Sequence, residues 1–100
     1  MKHEEIDKIE RSAERAANLL KTLGSQKRLL ILCKLHDGEK SVTELQDSLG
    51  IGQSALSQHL AYLRQKHIVT TRRSGTKVIY SLADHEAREV MDVLCRVFKK

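Results

Sequence analysis

The sequence has no proline, only 3% aromatic residues, two cysteines, and no acidic residue between Asp47 and Asp84. So few aromatics leave little for base stacking, which argues against recognition of single strands or RNA. Tyr62 and Tyr80 read as core residues. Without proline, internal repeats or low-complexity tracts nothing marks a linker, so residues 1–100 are expected to form one domain. No apolar run approaches the roughly 20 residues that span a bilayer. The segment from Met1 to Asp7 is mixed in charge and lacks the apolar centre of a secretion signal. A cytoplasmic protein with no membrane partner is therefore expected. Cys33 and Cys95 are too few for a secreted disulfide scaffold, and in a reducing compartment their default state is the thiol. The chain also has no Gly-rich phosphate loop, nucleophile elbow or carboxylate pair suited to a cleft, and no Cys-x-x-Cys for thiol oxidoreduction. It is expected to be no enzyme and to need no cofactor.

What is present is a focused charge. The formal charge is +5, from 18 Lys and Arg against 13 Asp and Glu. The stretch from Ser48 to Ala83 carries Arg64, Lys66, Arg72, Arg73 and Lys77 and no acid, so it holds the whole excess while the remainder cancels. A polyanion is the natural partner of such a block.

Hydrophobic spacing orders the chain. Ile6, Ile9, Ala13, Ala16, Ala17, Leu20 and Leu23 recur at three and four, predicting an amphipathic first helix that ends near Gly24. Ser25 can cap a second helix, whose Leu29, Leu30, Leu32, Cys33 and Leu35 are apolar over much of the circumference, as in a centrally buried helix that stops at Asp37-Gly38. Ser41-Val42-Thr43-Glu44 is a capping-box pattern opening a third helix that ends at Gly50. After a short turn, Leu56, Leu60 and Leu63 share one face of a fourth helix. Leu45, Leu49, Ile51 and Leu56 can fill the space between the third and fourth helices, a helix-turn-helix pattern. Ile68 to Arg73 and Val78 to Leu82 read as two strands joined at Ser74-Gly75-Thr76-Lys77, a hairpin in the position of a wing. Asp84 can cap a last helix carrying Ala87, Val90, Met91, Leu94, Val97 and Phe98. The expected fold is mainly α, a winged helix-turn-helix of order α-α-α-α-β-β-α. First and last helices carry apolar stripes beyond what a small core can cover, which predicts a homodimer through them.

On the fourth helix Gln53, Ser54, Ser57 and Gln58 lie on the polar face near the N-terminus, where they suit base edges and phosphates of double-stranded DNA. His59 and Arg64 follow on the same helix. Arg72, Arg73 and Lys77 flank the hairpin turn, where long cations reach backbone phosphates or a minor groove.

These residues resemble the ArsR-type winged-helix repressors over nearly the whole chain. The resemblance is carried by Gln53-Ser54-Ala55-Leu56-Ser57-Gln58-His59-Leu60, by Lys27-Arg28-Leu29-Leu30-Ile31-Leu32-Cys33, and by Val78-Ile79-Tyr80-Ser81-Leu82. Within the family they are most similar to the sulfur- and redox-responsive BigR/SqrR/HlyU branch. The resemblance implies a homodimer on an inverted-repeat operator, repressing genes of sulfide or reactive-sulfur handling. It also implies that a cysteine of the second helix and one of the last helix link through a disulfide or polysulfide that weakens DNA binding, with reactive sulfur species or an oxidant as effector. Cys33 matches the first of these positions. The second falls near Lys99, one helical turn beyond Cys95, a displacement of about 6 Å along the helix. Cys33 and Cys95 are carried as the redox-sensing pair on that basis.

The metal-sensing members of the family supply a rival reading. The second helix lacks their Cys-Val-Cys, the last helix lacks their Asp-x-His with a distant histidine, and His3, His36, His59, His67 and His85 are scattered, so no metal site is expected. An ArsR-type regulator with no thiol switch, whether constitutive, anti-repressing or metal-responsive, is the alternative. A helical protein-interaction module would leave the acid-free block unexplained.

Overall fold

The structure is a computed structural model that describes residues 2–98; Met1, Lys99 and Lys100 lie outside it. Helix α1 (His3–Leu23) starts with Glu4 and Glu5 in its first turn, where carboxylates offset the positive end of the helix dipole. It buries only its C-terminal end, Thr22 and Leu23, while Ile6, Ile9 and Leu20 stay exposed. Helix α2 (Gln26–His36) follows, capped by the Ser25 hydroxyl, which accepts from the Arg28 N–H at 3.3 Å. Arg28 then reaches back. Its guanidinium donates to the Thr22 and Lys21 carbonyls at 2.7 and 3.1 Å, satisfying acceptors left open at the end of α1, and lies 4.3 Å over the Tyr62 ring.

Ile31, Leu32 and Leu35 make one side of α2 the centre of the core, in contact with α1, the later helices α3 (Val42–Leu49), α4 (Gln53–Gln65) and α5 (His85–Phe98), and strand β3 (Lys77–Leu82). Central burial holds for this side alone: Leu30 is exposed, and Leu29 and Cys33 are half-buried.

The capping box at α3 is complete, with the Ser41 hydroxyl accepting from the Glu44 N–H at 3.1 Å and the Glu44 carboxylate accepting from the Ser41 N–H at 3.0 Å. Gly50 ends α3 at φ 62°, and α4 begins three residues later. Leu45, Ile51 and Leu56, expected between the pair, and Leu60 and Leu63, expected on one face of α4, are all buried in the core, and Leu49 packs at its edge. Burying each such leucine contributes about 2 kcal/mol relative to leaving it in water. Helix α4 closes through paired bonds, His67 N–H to the Arg64 carbonyl and Ile68 N–H to the Leu63 carbonyl, both at 3.0 Å, with His67 left-handed at φ 60°.

Strand β2 (Val69–Ser74) pairs antiparallel with β3, Ser74 opposite Lys77 across Gly75-Thr76. Positive φ at Gly75 alone of the two turn residues is the pattern of a type II′ turn. The architecture is the predicted winged helix-turn-helix with one addition. A two-residue strand β1 (Lys40–Ser41) pairs with the other edge of β3, Lys40 opposite Tyr80 and Ser41 opposite Ile79. Two residues carry no periodicity, so the pairing left no mark in the sequence. Ser41 both caps α3 and pairs with β3, which fixes the helix-turn-helix to the wing. Asp84 caps α5 as expected, its carboxylate accepting from the Ala87 N–H at 2.8 Å.

The two left-handed residues flanking the recognition unit should respond oppositely to substitution. Nothing lies within 4 Å of where a Gly50 Cβ would sit, so Gly50→Ala should cost about 1 kcal/mol through backbone conformation alone. His67→Gly, which relieves the same conformation in a side-chain-bearing residue, should leave stability unchanged or raise it by up to about 1 kcal/mol. Urea denaturation of the two variants measures both.

Candidate DNA interface and thiol pair

Gln53, Ser54, Ser57 and Gln58 are all exposed on α4. The N-cap is Gly52, which offers no side-chain acceptor, so the backbone donors of the first turn point outward beside these polar groups. Such an end takes a phosphate oxygen without displacing a cap.

His59 is half-buried, and its pKa is lowered first by desolvation and then by the positive fields of Arg28 and Lys27. Both causes favour the neutral ring in the free protein. The same fields bring Lys27 and Arg28, residues outside the acid-free stretch, next to the recognition helix. Arg64 is exposed and shares a shallow groove with Ser57, Ala61 and Tyr80, between α4 and β3.

The wing is less positive than its sequence. Arg72 grips Glu39 with two nitrogens, Nε to Oε2 at 3.2 Å and Nη2 to Oε1 at 2.5 Å, and the Ser81 hydroxyl donates to the same carboxylate at 3.4 Å. The hydrogen bond from Arg72 holds the Glu39 pKa below the usual carboxylate range and raises that of Arg72. Glu39 comes from the turn before β1, so the absence of acids along the chain did not carry over into space. Arg73 and Lys77 are exposed near the tip, and Arg73 lies on the opposite face of the hairpin from Arg72.

Cys33 and Cys95 meet. Their sulfurs are 3.8 Å apart between α2 and α5, each half-buried, with no disulfide formed. An S–S bond is about 2.05 Å, so closure needs less than 2 Å of approach. The position matched by alignment, Lys99, lies outside the described residues; helix packing, which alignment does not see, turns Cys95 toward Cys33. The pair sits in a groove walled by Leu29, Leu30, Met91, Leu94 and Phe98. Nearby, His36 Nε2 lies 2.5 Å from Asp92 Oδ1. Sequence reasoning passed over that pair, although its mirrored spacing from the two cysteines was visible. Among the described residues no three His, Cys, Asp or Glu side chains converge as metal ligands, and no helix is long and apolar enough to cross a membrane.

The profile of the family described as bacterial regulatory protein, arsR family, matches residues 25–71. The transcriptional activator HlyU of Vibrio cholerae is 41% identical over 93% of this chain and 86% of its own length. The biofilm growth-associated repressor of Xylella fastidiosa is 42% identical over 96% of this chain and 84% of its own. A solved structure of reduced HlyU from Vibrio cholerae superposes with a TM-score of 0.89 at 41% identity, covering 93% of this chain and 98% of that one.

Because Glu39 neutralises Arg72, Glu39→Gln should strengthen binding to duplex DNA severalfold at about 0.1 M salt and steepen the plot of log affinity against log salt by about 0.9, one extra phosphate contact. Arg72→Ala alone should change the slope little. Fluorescence anisotropy across a salt series separates the two.

Proposed function

The chain belongs to the ArsR family of bacterial regulatory proteins, which are DNA-binding transcriptional regulators, and on that premise we propose that it is a homodimeric cytoplasmic repressor released from its operator when Cys33 and Cys95 link. The observation that carries the reading is the 3.8 Å contact of the two sulfurs across α2 and α5. Helix α2 packs on α3 and α4, the reading unit, while α5 carries Val93, Val97 and Phe98 on its exposed face. With Ile6, Ile9 and Leu20 of α1 these residues supply the apolar surface for a second copy. The two recognition helices of a dimer must then sit about 34 Å apart to enter successive major grooves.

Linking the sulfurs draws α2 toward α5 and so shifts the reading unit against the dimer axis. An organic persulfide is the favoured effector class. Exchange transfers its outer sulfur to Cys33, giving a cysteine persulfide and a thiol, and attack by the Cys95 thiolate closes the disulfide with release of hydrogen sulfide. A coupling of about 1–3 kcal/mol, or 5- to 150-fold in affinity, suffices to empty an operator. A relative described as an activator favours a second reading of the output, in which the same binding displaces another repressor and expression rises.

DNA from upstream of the protein's own gene, titrated with reduced protein and again after an alkyl persulfide, tests the switch. Binding should be tight when reduced, lost on treatment and restored by dithiothreitol, and Cys33→Ser should keep the first property and abolish the second. Treated wild type that binds as before would leave a DNA-binding regulator whose cysteines only pack. Val97→Glu should shift the protein to monomer in sedimentation and weaken operator binding at least tenfold, since each half-site then binds alone.

A further inference from the structure

The residues around the thiol pair repeat in mirror image. Cys33 and His36 stand three apart on α2, and Asp92 and Cys95 stand three apart on α5. Residues three apart share a helix face, so two antiparallel helices bring both pairs onto one line of contact: sulfur to sulfur at 3.8 Å, imidazole to carboxylate at 2.5 Å. Leu29, Met91 and Leu94 add apolar surface to that contact. Apolar contacts are non-directional and tolerate small slips of one helix along another. A disulfide does not, because its Cα separation must fall within roughly 4.4–6.8 Å and its Cβ–S–S–Cβ dihedral at about ±90°.

A directional contact is therefore needed near the sulfurs. Arg15 with Glu86, and Arg88 with the Leu82 carbonyl, hold the first turns of α5. The hydrogen bond from His36 to Asp92 lies one turn before Cys95, where the helix continues toward its exposed end. We infer that His36 and Asp92 are positioning residues for the thiol pair, their hydrogen bond setting the axial register of α2 against α5 that keeps the two sulfurs within closing distance. The inference rests on the reading of Cys33 and Cys95 as a linking pair and adds two residues to it.

The test is the closure equilibrium of the full-length protein in glutathione redox buffers. Two cysteine thiols pass two electrons and two protons to glutathione disulfide through a mixed disulfide, forming the Cys33–Cys95 bond and two molecules of glutathione. Asp92 is 57% exposed and His36 22%, so Asp92→Ala should leave the thermal midpoint of the reduced protein nearly unchanged and His36→Ala should lower it by no more than a few degrees. Each should lower the closure constant by about tenfold, or about 30 mV for a two-electron couple. The double variant should fall no further than either single one, and His36→Gln, whose amide can replace Nε2 as donor, should recover part of the loss. Wild-type closure constants in the alanine variants, or losses that add in the double variant, would overturn the positioning role alone. A wild-type protein that forms no internal bond would overturn the linking pair and its positioning together. Shifted constants beside unchanged operator binding would uphold the positioning and count only against the regulatory reading.

Discussion

Burial of Ile31, Leu32 and Leu35 on α2 is the constraint on which the other parts of the molecule depend. This helix of eleven residues touches α1, α3, α4, α5 and β3. Its N-terminal end binds the last carbonyls of α1 and the Tyr62 ring through Arg28. Its other side carries Cys33 and His36 to α5. Interiors are close-packed and transmit displacement rather than absorb it. In the switch we propose, a helix packed at once on the reading unit and on the thiol partner is the means by which a local change at sulfur reaches the α4 face.

Charge is distributed by folding as much as by composition. Along the chain, the cations from Arg64 to Lys77 stand without acids. In space, Glu39 enters from the turn before β1 and occupies Arg72, while Lys27 and Arg28 come up from α2 beside His59. The positive surface thus moves from the body of the wing toward its tip and the side of α4. Strand β1 links the two parts: Ser41 caps α3 with its side chain and pairs with Ile79 through its backbone.

Helix limits were legible because their signals are local. Ser25, the Ser41–Glu44 box, Gly50 and Asp84 all act at the ends they marked, since a cap bonds to backbone within three residues of itself. The leucines of α3 and α4 were legible because a period of three and four admits one buried face. Leu30 was not: a helix apolar on most sides reads as wholly buried, and its exposure depends on what the neighbouring helices leave uncovered.

The sequence by itself determined the order of the helices and the hairpin, the polar face of α4 and the two helices that hold the thiols, because each depends on contacts within a few residues. The tertiary structure decided which distant groups meet: Cys95 with Cys33 despite a displacement of one turn in alignment, Asp92 with His36, and Glu39 with Arg72. Those pairings follow from the axial register and rotation of packed helices and from strand pairing across 33 to 62 positions. No local propensity encodes them, since they are set by how side chains of separate elements interlock.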